Sequence, residues 1–178
     1  MRNVVPFLRS LLFTIVMVLA TVVWACVCFL VAPLPYNKRF WVTSRWNVFI
    51  IWCLKVICGI RYKFKGYENL PDAPAIVLSK HQSAWETIFL LPNLIRPLVF
   101  VFKKEILYIP FFGWAMALLR MIPIDRSEGK NAFAHVVRHG KRRLADGQWI
   151  IMFPEGTRIP VGKKGKYKSG GARLAVET

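Results

Sequence analysis

The chain has 178 residues, 55% of them hydrophobic, with 26 Lys and Arg against 9 Asp and Glu for a formal net charge of +17. That length holds one domain, or one domain with an appendage, and excludes a large multidomain assembly. A mean hydropathy of +0.39 is high for a soluble domain, and the excess of positive charge implies an anionic partner. Residues 1–60 carry six basic side chains (Arg2, Arg9, Lys38, Arg39, Arg45, Lys55) and no acidic one. A basic body beside a hydrophobic segment points to membrane lipids, and the lack of any recognition module argues for no nucleic acid. Cys26, Cys28, Cys53 and Cys58 show neither zinc-site spacing nor a disulfide framework, and read as small apolar residues.

Ser10 to Ala32 contains no charged residue. A helix of that length crosses a hydrocarbon core of roughly 30 Å, and the apolar run is too long for a cleaved signal peptide. A permanent anchor is expected, stopped by Pro33-Leu34-Pro35. Trp41 to Ile60 is less purely apolar and fits an interfacial helix, with a second span as the alternative. Arg61-Tyr62-Lys63-Phe64-Lys65 alternates like a strand with one wet face. Four bounded apolar runs follow as buried strands: Ala75–Leu78, Leu98–Phe102, Met121–Ile124 and Trp149–Phe153. Between them, Trp85–Leu91 reads as a helix closed by Pro92. Ile109–Trp114 reads as an aromatic loop entering another, suited to core packing or membrane contact. A third helix is capped by Ser127 and runs to about Ala145. Its inward stripe is Phe133, Val136, Val137, Gly140 and Leu144. His135 and His139 lie four apart on a basic face without a third metal ligand, so no metal site is expected. Lys168-Ser169 lacks the preceding glycine of a phosphate-binding P-loop, and Ala172–Thr178 begins a last helix. Strands alternating with helices predict an α/β fold with a mainly parallel sheet. The expected organisation is an N-terminal membrane-anchoring helical segment over 1–60 and a catalytic domain over 61–178.

Four strand-to-helix junctions present polar residues: His81 with Glu86, Lys103, Arg126, and Glu155-Gly156-Thr157-Arg158. In parallel α/β sheets, ligands gather at the carboxyl ends of strands. The set contains one base, one carboxylate in its reach, and cations suited to phosphate. Ser83-Ala84-Trp85-Glu86 also fits a capping box, so Glu86 has a purely structural reading beside the catalytic one. Five residues on an ideal helix span 500°. His81 is therefore expected in the loop before the helix, with Ser83 as N-cap and Glu86 in the first turn.

Lys80-His81-Gln82-Ser83-Ala84-Trp85-Glu86, Ile122-Pro123-Ile124-Asp125-Arg126 and Phe153-Pro154-Glu155-Gly156-Thr157-Arg158 resemble motifs I, II and III of the 1-acyl-glycerol-3-phosphate acyltransferase family, in the family's order. Phe102-Lys103-Lys104-Glu105-Ile106 resembles a segment that members carry between motifs I and II. The resemblance covers about Arg61 to Thr178 and implies a glycerolphosphate acyltransferase-like fold. It further implies His81 as general base and Glu86 as the carboxylate that orients it, in a position where most members have Asp. Lys103, Arg126 and Arg158 would hold the phosphate of lysophosphatidate, with Glu155, Gly156 and Thr157 shaping that pocket. The acyl donor would be acyl-CoA or acyl-carrier protein, with no cofactor. The product would be phosphatidate, and the location the bacterial inner membrane with the catalytic domain facing the cytoplasm. Another lysolipid acceptor such as lyso-ornithine lipid, or a non-enzymatic basic membrane-binding module, are the alternatives. A motif IV strand does not follow motif III before Thr178, so a C-terminally incomplete catalytic domain is expected.

Overall fold

A computed structural model describes residues 4–178. Arg2, one of the basic residues flanking the apolar run, lies outside them. Helices α1 (Val4–Leu30) and α2 (Tyr36–Cys58) form an antiparallel hairpin, turned at Pro33 and Pro35. Both are long and apolar enough to cross a membrane. The hairpin is pinned where Trp24 Nε1 donates to the Val42 carbonyl at 3.3 Å and Cys28 Sγ meets Thr43 Oγ1 at 3.7 Å. α2 starts one turn earlier than Trp41, because Pro35 fixes a φ of −52° that leads directly into a helix. It ends at Gly59, whose left-handed φ of 73° allows its amide and that of Ile60 to satisfy the Lys55 and Leu54 carbonyls.

Beyond the hairpin lie β1 (Ile76–Leu78), α3 (Trp85–Asn93), β2 (Leu98–Lys103), α4 (Phe112–Leu118), β3 (Ile122–Ile124), α5 (Lys130–Ala145), β4 (Trp149–Met152) and α6 (Gly170–Glu177). All strand pairs are parallel, in the order β1-β4-β2-β3. The expected parallel α/β architecture is therefore present. The central strands are apolar on both faces: Leu98, Val99, Trp149, Ile150 and Ile151 are fully buried, as a sheet covered on both sides requires. Phe40 of α2 reaches the same core.

Three local expectations are corrected. Arg61–Lys65 forms no strand: among the described residues β1 pairs with β4 alone. Its aromatic face packs on α3 instead, with Tyr62 edge-on to Phe89 at 4.8 Å and Phe64 at 5.8 Å from the same ring. Pro92 does not close α3 but sits in its last turn. The Ile88 carbonyl, which loses its helical donor to the proline ring, accepts from Asn47 Nδ2 of α2 at 3.0 Å. Ser127 does not cap α5. Asp125 Oδ1 captures its amide at 3.0 Å in a short 3₁₀ turn, and Gly129 stands at the N-cap. The stripe of α5 faces inward as expected, with Val136, Val137 and Gly140 buried. The loop before α4 divides: Ile109 and Trp114 are exposed, while Phe111 and Phe112 line the central cavity. Among the described residues no group of three metal-ligating side chains converges.

Candidate active site

A parallel sheet points every strand's carboxyl end the same way, so the four polar junctions share one edge. His81 follows β1 by three residues and lies in a loop before α3, as the helical angle requires. Its main chain is held from both sides by the β4 junction. The His81 amide donates to Glu155 Oε2 at 2.9 Å, and its carbonyl accepts from the Ile159 amide at 2.8 Å. The imidazole stacks on Phe153, ring centroids 4.0 Å apart and 17° from parallel. A ring clamped in this way has one orientation available to it.

Nδ1 of His81 faces Glu86 Oε2 at 3.5 Å. That is long for a hydrogen bond, and the buried Nδ1 has no better-aligned partner. The same carboxylate accepts from the amides of Gln82 at 3.1 Å and Ser83 at 3.1 and 3.2 Å. The two readings of Glu86 therefore coexist: its oxygens serve the exposed amides before α3 and face the imidazole together. The cap itself is displaced by one residue. Ala84 is the N-cap, Glu86 stands second in the helix, and Ser83 Oγ accepts from the Trp85 amide at 3.0 Å.

Burial pushes the His81 imidazole below its ordinary pKa of 6.5. Glu86 opposes this by favouring the cation, while Arg158 adds to it. The net direction is downward, which favours the neutral over the cationic ring. Its Nδ1 side is turned to the carboxylate, which leaves Nε2 to act on a ligand.

The remaining expected residues fall into two groups. Arg126 reaches across from β3 and donates to the Gly156 carbonyl at 2.8 Å, joining two junctions. Arg126, Thr157 and Arg158 are exposed and line one cavity with His81 and Gly156. Gly156 has a φ of +69°, which disfavours any side chain, and this keeps the peptide open to the cavity. Lys103 also lines the cavity, but its ammonium pairs with Glu105 at 2.9 Å. Glu155 does not face the cavity: it is buried beneath the His81 loop, with Lys80 Nζ 3.8 Å from Oε1. Lys104 instead pairs with Asp125 at 3.2 Å, and the Asp125 carboxyl is held below its usual range first by Ser127 and then by Lys104.

The cavity measures about 1030 Å³. His81, Arg126 and Arg158 line it together with Met17, Ala25 and Cys28 of α1 and Thr43 and Trp46 of α2. A cavity that combines cations and an imidazole with a mostly apolar lining suits an amphiphile with an anionic head. Two participants escape sequence reasoning. Phe153 reads as a strand residue, although its ring supports the imidazole. Lys168, set aside with the failed P-loop, lines the cavity. Its position just before Gly170-Gly171 and a helix was the available signal.

A family model described as Acyltransferase matches residues 61–178. The chain is 47% identical over 176 residues to a 1-acyl-sn-glycerol-3-phosphate acyltransferase of Pseudomonas aeruginosa, covering 98% of this chain and 68% of that protein. It is 30% identical over 148 residues to a chloroplastic 1-acyl-sn-glycerol-3-phosphate acyltransferase of Arabidopsis thaliana, covering 81% of this chain and 40% of that one. A lyso-ornithine lipid O-acyltransferase of Rhizobium meliloti is 29% identical over 86% of this chain and 50% of its own length. The crystal structure of the 1-acyl-sn-glycerophosphate acyltransferase from Thermotoga maritima shares the fold, with a TM-score of 0.79 and 24% identity over 100% of this chain and 72% of that one. With His81 and Glu86 in the first motif, Arg126 in the second and Glu155 to Arg158 in the third, the chain belongs to the acyltransferase family.

Proposed function

We propose that this protein transfers an acyl group from a thioester to the free hydroxyl of 1-acyl-glycerol-3-phosphate, giving phosphatidate for phospholipid synthesis. The observation that carries the reading is the imidazole of His81, stacked on Phe153 and faced by Glu86, in a largely apolar cavity that Arg126 and Arg158 also line. Nε2 of His81 takes the hydroxyl proton as the oxygen attacks the thioester carbonyl. Glu86 holds the imidazole and favours the imidazolium that forms. Collapse of the tetrahedral intermediate breaks the carbon–sulfur bond, and the leaving thiolate recovers the proton from His81. Products are the new ester and a free thiol, with no acyl-enzyme. Every step is proton transfer or addition and elimination, so the reaction calls for no cofactor or metal. Acyl-CoA and acyl-carrier protein both present the required thioester.

Arg126 and Arg158 hold the acceptor's phosphate, with Lys103 engaged by Glu105 at the edge of the same cavity, while Gly156 and Thr157 shape the space around it and Glu155 fixes the loop that carries His81. A cluster of cations favours a phosphate dianion over the zwitterionic head of a lyso-ornithine lipid. The apolar helices attach the protein to a membrane, and in a bacterium the site faces the cytoplasm, where thioester donors are made.

Replacing His81 by Ala decides between catalysis and mere membrane binding. Loss of positioned base catalysis lowers turnover by about 100- to 10,000-fold, with sedimentation on anionic vesicles unchanged. Turnover of the variant at the parent's rate removes the mechanism. An assay of lysophosphatidate against lyso-ornithine lipid, with both donor types, identifies the acceptor.

A further inference from the structure

Lys168 closes the Gly- and Lys-rich loop after the third motif and stands two residues before α6. Its main chain is fixed by the β4 junction, the Lys168 amide donating to the Pro154 carbonyl at 2.9 Å. Its ammonium lies 3.2 Å from the point where a Cβ on Gly156 would stand, and Arg126 Nη2 lies 3.7 Å from that same point. Two cationic heads therefore flank one main-chain position, and both line the cavity that contains His81. Among the described residues, no carboxylate makes an ion pair with Lys168, Arg126 or Arg158. By contrast, Lys103 at the same cavity is paired with Glu105, and Lys104 with Asp125. Like charges gathered without a counter-ion repel one another, and an anion between them relieves that repulsion.

We propose that Lys168 is a further ligand for the acceptor's phosphate, completing with Arg126 and Arg158 a three-cation site over the Gly156 peptide. The assignment rests on the acyltransferase reading for the identity of the anion, though not for the existence of the anion site. The absent side chain of Gly156 is part of the site, since a Cβ there would crowd the lysine head.

The test compares the full chain with Lys168→Ala and Lys168→Arg in neutral detergent micelles, after thermal melting shows that each variant is folded. Binding of lysophosphatidate and of monoacylglycerol, which lacks the phosphate, is measured alongside turnover. Losing one charge-assisted contact weakens lysophosphatidate binding by about tenfold or more. The acceptor KM rises with it while the donor KM stays within twofold, as ~0.4 kcal/mol would allow. Monoacylglycerol binding loses little, and Lys168→Arg recovers most of the loss. Unchanged lysophosphatidate binding in Lys168→Ala overturns the proposal, as does equal weakening for both lipids or a rise confined to the donor KM. Lysine-dependent binding without turnover by the parent would leave the anion site standing and remove the acyltransferase reading. Turnover with lysine-independent binding would do the reverse.

Discussion

The carboxylate of Glu86 divides itself between three main-chain and side-chain donors and one imidazole, and under the proposed mechanism it supports the base. Substituting Gln removes the charge while keeping the shape. The free base must be neutral to accept a proton, so kcat/KM rises with pH through the His81 pKa, which burial already places below 6.5. Glu86 raises that pKa, so Glu86→Gln shifts the acidic limb further down the pH scale. At the same time it lowers the plateau, by about tenfold or more, through loss of imidazolium stabilisation. A pH profile of the variant whose acidic limb moves upward, or stays in place, contradicts the assigned role. Both expected contacts of Glu86, with the amides before α3 and with the imidazole, were legible from spacing as competing alternatives; that one carboxylate makes both depends on which oxygen points where.

At the scale of elements, the site is a set of loops after parallel strands, and the loop after β4 does most of the joining. It supplies Phe153 beneath the imidazole, Glu155 to the His81 amide, and the Gly156 carbonyl to Arg126. Gly156→Ala places a methyl group at a φ of +69° and against the Lys168 ammonium. The strain costs about 1–2 kcal/mol, and the displaced cation lowers acceptor affinity. Together they reduce kcat/KM for lysophosphatidate by at least ~10-fold, with the far-ultraviolet circular dichroism unchanged. Full activity in the variant would show that the cations do not need that space. The four strands were readable because each is a short apolar run bounded by turn residues, such as Ala75–Leu78 between Pro74 and Ser79. Arg61–Lys65 misled because alternation reports a half-wet surface and says nothing of a strand partner. Ser127 misled because Asp125 competes for its amide two residues away. For Lys168 the sequence offered only its place before Gly170-Gly171 and a helix, because its neighbours Arg126 and Gly156 arrive from elsewhere in the chain.

For the molecule as a whole, the hairpin and the sheet are one packed unit rather than an anchor beside a globular body. α2 lends Phe40 to the core and Thr43, Trp46 and Asn47 to the cavity wall. Its strongest directional tie is Asn47 Nδ2 to the Ile88 carbonyl, the acceptor that Pro92 leaves open. Asn47→Ala removes the donor and strands that carbonyl in a half-buried site, at a cost of about 1–3 kcal/mol. The melting temperature in detergent falls, and Glu86, on the first turn of α3, loses part of its support. A melting temperature equal to the parent's would mean that water or another donor replaces Asn47. This coupling was hidden in the sequence, since Asn47 sits in an apolar run as an apparent polar interruption.

The strand order carries a consequence for how the site comes into being on the ribosome. Among the described residues β1, which delivers His81, pairs with β4 alone, and β4 also separates it from β2. The nascent chain therefore holds the histidine on an unpaired segment until Trp149–Met152 has emerged, more than 65 residues after His81 itself. When β4 docks, the next residues to appear bring Phe153, Glu155 and Ile159 to the same loop. The native contacts that place the imidazole and those that complete the sheet thus both wait on β4 and the loop that follows it.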